Sequence, residues 1–304
     1  MLMLKTAILA AAGFAGVQLM SAHVETSKAP SGYSHQIETW RAQRVERLKA
    51  PNGWLSLIGL HWLKEGRNTV GSAKDNDVVL AKGPAHLGAI ELKGGQATIA
   101  LDPKALATID GGNARSAALL DDSHDKPTTI AFGTASFYMV DRNGRKGLRV
   151  KDSEADARRH FLGIDYFPID PSWRIEARWV PFTPPHTLET PNVLGQTDTF
   201  PVPGKAVFAR DGKTYELLPV IEVPGDKELF LIFADRTSGK ETYGAARFLY
   251  ADMPKDGKIV LDFNKAYNPP CAFTPYATCP LAPPENRLDL RVTAGEKKYR
   301  GGHH

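Results

Sequence analysis

The sequence lacks the features that mark several protein classes. Only 2 of its 304 residues are cysteine, which excludes a small scaffold held together by many disulfides. The 38 Lys and Arg against 34 Asp and Glu leave a net charge of +4, too small to indicate nucleic acid as a partner. With 42% hydrophobic and 24% charged residues, the composition is that of an ordinary globular protein.

Familiar catalytic motifs are also missing. The chain contains no His-Glu-x-x-His, Gly-x-Ser-x-Gly, Gly-x-x-x-x-Gly-Lys or Gly-x-Gly-x-x-Gly. These absences exclude zincin proteases, α/β-hydrolases, P-loop nucleotide hydrolases and dinucleotide-binding folds of the usual type. The nine His residues are scattered along the chain, so the sequence predicts neither a metal site nor a cofactor.

The first 22 residues predict an export signal. Lys5 precedes an apolar run from Ala7 to Met20, and the small residues Ser21 and Ala22 follow. The run is shorter than the about 20 residues that a membrane-spanning helix needs. We therefore expect the segment to be removed, leaving no stable membrane span and a periplasmic or secreted protein.

The rest of the chain predicts one helix and two β-rich halves. Apolar residues recur at helical spacing over 33–50. Short apolar or alternating runs then follow at intervals of about ten residues, divided by turn residues, which indicates a sandwich or barrel. Asn143-Gly144 is the clearest hairpin signal. We predict a mostly β protein with two packed antiparallel sandwich- or barrel-like halves, 51–152 and 153–300, behind a short N-terminal amphipathic helix.

Two charged clusters in the first half are interpreted as solvent-exposed. The acidic cluster at 121–125 lies between predicted strands, where a solvated loop is expected. Alternate residues of a hairpin strand point to water. An exposed face is therefore expected for the basic residues Arg142, Arg145, Lys146, Arg149 and Lys151.

Residues 262–287 are the unusual region of the sequence. They contain both cysteines and six prolines, which excludes a helix or a central strand. Aromatic residues within the region provide anchors that can be buried, and the prolines restrict the unfolded chain. These properties predict a rigid, preformed surface loop, which we call the 262–287 loop.

The sequence leaves the roles of Cys271 and Cys279 open. Two nearby cysteines in an exported protein commonly form a disulfide, which would stabilise so short a loop by about 2.5 kcal/mol. A metal site would need two further ligands from remote segments. The remaining alternatives are a reactive thiol near Arg247 or Arg287 and two inert buried thiols.

Polar side chains around this loop form the candidate ligand site. Asp262 and Glu296 are candidates for general acid and base, as in glycosidases. Amide, hydroxyl and guanidinium groups can hold an anionic or sugar-like ligand. The candidate residues with such groups are Thr242, Tyr243, Arg247, Asn264, Asn268 and Asn286. The alternative role for each is scaffolding, because the backbone groups of a long loop need hydrogen-bond partners.

Two resemblances accompany these motifs. From about residue 40 to residue 299, the chain resembles a bacterial and archaeal domain-of-unknown-function family (1684). This resemblance implies no established activity or catalytic residue. The motifs that carry this resemblance are Trp54-Leu55-Ser56-Leu57, Asn268-Pro269-Pro270-Cys271-Ala272-Phe273, Cys279-Pro280 and Pro284-x-Asn286-Arg287-Leu288. Residues 66–80 resemble the opening strands of the forkhead-associated sandwich, but Ser72 replaces the Arg that grips phosphate in that family. Phosphopeptide binding is therefore not predicted.

The sequence favours an exported protein that binds a small polar or anionic molecule in a pocket walled by the 262–287 loop, and it leaves hydrolysis of that molecule open. The alternative is a non-catalytic cell-envelope protein whose loop docks a macromolecular partner. Polar groups recessed in a concavity would support the first function. An exposed apolar patch of Phe273, Tyr276 and Leu281 would support the second.

Overall fold

The computed structural model describes residues 31–301, so the predicted export signal at residues 1–22 lies outside the described part. Helix α1 spans Tyr33–Lys49, as the sequence predicts. It follows Gly32, whose φ of 72° suits glycine, and it ends before Pro51. The buried residues of the helix are Tyr33, Ile37, Arg44 and Leu48.

Ten strands of the first half form two five-stranded sheets that face each other. The strands are β1 (Leu57–Trp62), β2 (Gly66–Gly71), β3 (Val78–Val79), β4 (Gly88–Lys93), β5 (Gln96–Leu101), β6 (Thr108–Ile109), β7 (Ser116–Ala118), β8 (Thr129–Phe132), β9 (Ala135–Arg142) and β10 (Arg145–Asp152). The sheet orders are β1-β10-β9-β8-β6 and β3-β2-β4-β5-β7. Ile90, Ile99 and Phe137 belong to one core shared by both sheets, which is the predicted sandwich.

The predicted hairpin connects β9 and β10. Arg142 pairs with Arg145 across the turn. The two turn residues, Asn143 and Gly144, have φ values of 53° and 83°, which is the left-handed conformation that a two-residue type I′ turn needs.

The second half consists of a four-stranded sheet and a separate two-stranded ribbon. After the short helix α2 (Asp156–Arg159) come β11 (Arg174–Pro191), β12 (Thr197–Arg210), β13 (Lys213–Leu217), β14 (Glu228–Phe233), β15 (Arg247–Asp252) and β16 (Lys258–Asp262). The sheet order is β13-β12-β11-β16, and β14 pairs with β15. All these pairs are antiparallel. Neither helix between residues 31 and 301 combines the length and apolar character needed to cross a membrane.

Strands β11 and β12 are longer than their apolar runs indicate. Their pairing continues past an irregularity between Pro181 and His186 and ends where Pro191 pairs with Thr197. Backbone hydrogen bonds therefore extend the two strands through polar residues. At the tip of this arm, the Gln196 side chain donates to the Arg142 carbonyl oxygen of the first half at 3.1 Å.

The 262–287 loop is built from short turns. Three 3-10 turns cover Phe263–Lys265, Pro270–Ala272 and Pro284–Asn286. Phe263 and Phe273 are at most 1% exposed, so these aromatic residues anchor the loop in the interior.

The expectation of exposed charged clusters in the first half holds for Ser123, His124, Asp125 and Arg145, and it is wrong for Asp121, Lys146 and Arg149. The Lys146 Nζ atom lies 2.5 Å from Asp121 Oδ2 and 2.6 Å from Asp141 Oδ2. Asp121 is 5% exposed. Lys146 of β10 therefore faces these two carboxylates rather than solvent.

The 262–287 loop also covers part of this surface. Thr278 Oγ1 accepts hydrogen bonds from Arg142 Nε at 2.9 Å and from Arg149 Nη2 at 3.2 Å. Arg149 is 3% exposed. A segment more than 100 residues away in sequence thus buries basic residues that the local pattern places in water.

The ion pair of Asp121 predicts a pH dependence of stability. Burial alone would raise the pKa of Asp121, but hydrogen bonds from Lys146 and Ser123 outweigh burial and hold it well below the usual carboxyl range. A lowered folded-state pKa stabilises the fold above the unfolded-state pKa of about 4. This contribution is lost as the pH falls through the folded-state value.

We therefore expect the free energy of unfolding of Asp121→Asn to fall less steeply than that of the unsubstituted protein as the pH drops below about 4. Urea denaturation at several pH values measures this slope. Asp125→Asn is the matched control, because Asp125 is exposed. Identical slopes for Asp121→Asn and the unsubstituted protein would contradict this assignment.

Candidate functional site

A cavity of about 670 Å³ lies between helix α1 and the β14–β15 ribbon, and we call it the helix cleft. Its aromatic lining residues are Trp40, Trp54, Phe230, Phe248, Tyr250 and Tyr267. Its charged lining residues are Arg44, Arg47, Arg174, Lys265, Glu222, Glu228, Asp252 and Asp262. Lys265, Tyr267 and Pro270 show that the start of the 262–287 loop forms part of the wall.

The aromatic floor of the cleft follows from the register of the ribbon. Phe230 pairs with Tyr250, and their rings stack with centroids 4.9 Å apart. Phe248 meets Phe230 edge to face at 4.8 Å, and Tyr267 meets Phe248 at 5.8 Å. Because alternate strand residues share a face, the ribbon presents these rings together as one apolar surface.

One edge of the cleft is acidic. Glu228 and Asp252 lie directly opposite each other in the ribbon, an arrangement of like charges that destabilises a sheet by itself. The Tyr250 hydroxyl donates to the Glu222 carboxylate, which brings a third negative charge to the same edge. Burial raises the pKa of Tyr250, so this hydroxyl stays protonated.

The side formed by the end of helix α1 is basic. Arg47 is exposed in the last turn of the helix, and it forms no ion pair with any residue from 31 to 301. A neighbouring recess of about 330 Å³ shares Arg44, Arg47 and Trp54 with the cleft and adds Lys151. Positive charge therefore continues from the cleft into this recess.

Arg44 fixes the helix to the cleft wall. Its Nε donates to Glu296 Oε1 at 3.0 Å, and its Nη2 donates to the Asn268 carbonyl oxygen at 2.8 Å. The guanidinium also lies 4.7 Å from the centroid of the Tyr267 ring. At 7% exposure, Arg44 is a positioning residue that holds Tyr267 and α1 together.

The two predicted catalytic carboxylates belong to separate hydrogen-bond networks. Asp262 lines the cleft, and its Oδ1 accepts from the Tyr33 hydroxyl at 2.6 Å. Glu296 is fully buried, with one oxygen on Arg44 and the other on the Asn268 N–H at 2.7 Å. Only Asp262 reaches the cleft, and the acid–base pairing of the two residues stays a prediction.

The predicted asparagines hold backbone groups in place. They are Asn264, Asn268 and Asn286, each at most 1% exposed. The Asn264 side chain bonds both the N–H and the carbonyl of Asp170, at 3.0 and 2.8 Å. Asn286 does the same for Leu218, at 2.8 and 3.0 Å. These are the scaffolding contacts considered above as the alternative, and none of the three asparagines lines the helix cleft.

Arg247 also serves the fold. It is 1% exposed, its Nη1 lies 2.8 Å from Asp235 Oδ2, and the same nitrogen donates to the Val292 carbonyl oxygen at 3.0 Å. Its Nη2 donates to the Ala294 carbonyl oxygen. Arg247 thus joins β15 to the C-terminal segment, beneath the ribbon rather than in the cleft.

Thr242 and Tyr243 occupy two different interior positions. The Thr242 hydroxyl bonds the Thr237 hydroxyl at 2.8 Å, within a buried turn. Tyr243 packs beside the cluster that contains Phe273, and burial raises the pKa of Tyr243 to about 12. Neither residue lines the helix cleft.

Cys271 and Cys279 are free thiols, so the predicted disulfide is not formed in this structure. The Cys271 N–H donates to the Cys279 sulfur at 3.2 Å, and the Cys279 N–H donates to the Cys271 sulfur at 3.3 Å. The turns of the loop bring the two residues side by side, and these hydrogen bonds satisfy the sulfur atoms as thiols. Across the described residues, no group of three or more His, Cys, Asp or Glu side chains is arranged to hold a metal ion.

Several cleft residues were missed from the sequence because their local pattern has a simpler explanation. Trp40 and Arg47 lie in the helix predicted at 33–50, and Phe230 and Tyr250 lie in the β-rich half predicted at 153–300. The available signal was the alternation of charged and aromatic residues in Glu228-Leu229-Phe230 and its counterpart in β15. Such alternation also describes an ordinary half-buried strand, so it does not identify a cavity.

The three residues that would support a docking patch do not form an exposed apolar surface. Phe273 is 1% exposed, and Tyr276 and Leu281 are half-buried. Phe273 packs in the interior against Phe161 and Tyr299 instead.

Comparisons with known proteins identify a family model and several similar solved structures. The family model described as a protein of unknown function (DUF1684) matches residues 159–297. The solution NMR structure of an uncharacterized protein from Haloarcula marismortui shares 32% sequence identity. The alignment covers 46% of this chain and 78% of that chain, with a TM-score of 0.39. None of the curated proteins matches the chain.

Proposed function

The chain belongs to the DUF1684 family of proteins of unknown function, and from this premise we propose that it binds a small polar molecule in the helix cleft. The supporting observation is the combination, in one cavity of about 670 Å³, of an aromatic floor with basic and acidic sides. Ligand pockets generally have volumes of about 300–1,000 Å³ and a few polar groups at the edge of an apolar surface.

The charged residues that line the helix cleft determine the orientation of the bound ligand. Its anionic group contacts Arg47, whose guanidinium forms charge-assisted hydrogen bonds with carboxylate or phosphate. Its apolar part covers the stacked Phe230 and Tyr250 rings. Glu228 and Asp252 at the ribbon edge repel a second anionic group and attract an ammonium group. A zwitterion should therefore bind better than a dianion of the same size.

We also propose that the protein acts in the periplasm or outside the cell. This part of the proposal is supported by the pattern of residues 1–22, a Lys followed by an apolar run and small residues. Cell fractionation and intact mass measurement of the mature protein test it. A protein that stays in the cytoplasm with residues 1–22 attached would contradict it.

A thermal-shift screen of amino acids, betaines, organic acids, sugars and nucleotides should identify cleft ligands, with zwitterions giving the larger shifts. Arg47→Ala should weaken the best ligand by about 10- to 100-fold in calorimetric titration, because a hydrogen bond to a charged group contributes about 1.5–3 kcal/mol.

Arg67→Ala is the matched control, because Arg67 is an exposed residue of β2 in the first half. Equal affinity of the Arg47→Ala and Arg67→Ala variants, or no shift with any compound, would overturn the proposal. If a bound compound is consumed over time, Asp262→Asn is the first substitution to make, because Asp262 is the predicted catalytic carboxylate that lines the cleft.

A further inference from the structure

Cys271 and Cys279 form a second candidate reactive site, and neither residue lines the helix cleft. Each backbone N–H donates to the sulfur of the other residue, at 3.2 and 3.3 Å. This reciprocal arrangement places the two thiols against each other although seven residues separate them in the chain. Adjacent thiols can form a disulfide without a large movement of the backbone.

The two thiols are not equivalent. Cys279 is 6% exposed and packs in an apolar cluster with Leu188 and Ala282, whereas Cys271 is partly exposed. Hydrogen bonds from the Cys279 thiol and the Cys279 N–H lower the pKa of Cys271, and Arg149 lowers it further. Burial raises the pKa of Cys279. Thiolate character and access both favour Cys271 as the attacking group.

We propose that Cys271 and Cys279 form a thiol–disulfide exchange site, with Cys271 as the attacking thiol and Cys279 as the resolving thiol. The substrate class is a small disulfide or the disulfide of a thiol oxidoreductase. This inference does not depend on ligand binding in the helix cleft.

The exchange proceeds in two balanced steps. The Cys271 thiolate, after losing its proton to solvent, attacks one sulfur of the external disulfide and releases one thiolate. Cys279 then gives its proton to the released thiolate or to solvent, attacks the Cys271 sulfur of the mixed disulfide and releases the second thiolate. The protein loses two hydrogen atoms, and the external disulfide is reduced to two thiols.

The position of the pair suits a site that senses or transmits oxidation. Between the two cysteines, Thr278 accepts from Arg142 and Arg149 of the first half. The Cys279 carbonyl oxygen accepts from the Val193 N–H at the tip of the β11–β12 arm, at 3.1 Å. Pro270, immediately before Cys271, lines the helix cleft. Closing the disulfide therefore constrains a segment that contacts the first half, the arm and the cleft wall.

Intact mass spectrometry of the native protein with glutathione disulfide tests the assignment. The unsubstituted protein should lose about 2 Da, and Cys279→Ser should gain one glutathione, about 305 Da, at Cys271. Cys271→Ser should react at least about tenfold more slowly, because its remaining thiol is buried. An unsubstituted protein that stays reduced, or two variants that react at equal rates in the native state, would overturn the proposal.

A measurement on the unsubstituted protein avoids variants that fail to fold. Limiting iodoacetamide followed by peptide mapping should label Cys271 at least about tenfold more than Cys279 in buffer, and both equally in urea. Equal labelling in buffer would contradict the attacking role of Cys271.

Discussion

Replacing Glu296 with Ala is expected to lower the free energy of unfolding by about 3–5 kcal/mol, because it leaves the buried Arg44 guanidinium without its carboxylate. The same change removes the acceptor of the Asn268 N–H. Urea denaturation monitored by tryptophan fluorescence measures the loss. Since Arg44 also lies on the Tyr267 ring, the variant should lose ligand binding together with stability.

Glu285→Ala is the control, because Glu285 is an exposed carboxylate of the 262–287 loop. It should change the unfolding free energy by no more than about 0.5 kcal/mol. Combining Glu296→Ala with Arg44→Met should cost less than the sum of the two single changes, since no buried charge is then left unpaired. A Glu296→Ala protein of normal stability that loses only ligand binding would assign Glu296 to the ligand instead.

Arg247→Met is also expected to lower the free energy of unfolding by about 3–5 kcal/mol, because it leaves Asp235 as a buried carboxylate without its cation. It also removes the donor to the carbonyl oxygens of Val292 and Ala294. We expect Arg247→Lys to rescue little of this loss, since one ammonium cannot reproduce the separate contacts of the guanidinium. Urea denaturation again provides the measurement.

The comparison variant is Arg291→Met, which breaks an exposed ion pair with Glu241. Surface pairs of this kind contribute about 0–1 kcal/mol, so the two Arg→Met changes should differ several-fold. Equal effects would show that the Arg247–Asp235 pair does not stabilise the fold. That result would reopen the prediction that Arg247 binds a ligand.

The features that could be predicted from the sequence are those set by local chemistry. Helix α1 follows from its apolar spacing and the turn at Pro51, and the β9–β10 hairpin follows from the left-handed preference of Asn143-Gly144. The length of β11 could not be predicted, because its pairing with β12 continues through residues without strand character. Cross-strand partners, rather than propensity, decide where such a strand ends.

The hydrogen-bond partners of the candidate site residues could not be predicted from the sequence. Asn264, Arg247 and Glu296 have side chains suited to ligands, but the same donors and acceptors satisfy buried backbone and charge. Only the residues that each side chain contacts in the folded protein distinguish ligand binding from these structural roles. Tyr33 and Asp262 meet across 229 positions of sequence, and the lining of the cleft is gathered from equally distant segments.

The ion pair between Arg44 and Glu296 spans 252 positions of the chain, and this separation orders the events of biosynthesis. While the nascent chain is still on the ribosome, α1 has emerged but its carboxylate partner has not been made. Contacts of such high sequence separation form late, after the loop-closure entropy has been overcome. The Arg44–Glu296 contact can therefore form only after nearly the whole chain has been made, and proteolytic trimming that removes Glu296 should loosen α1 from the wall of the helix cleft.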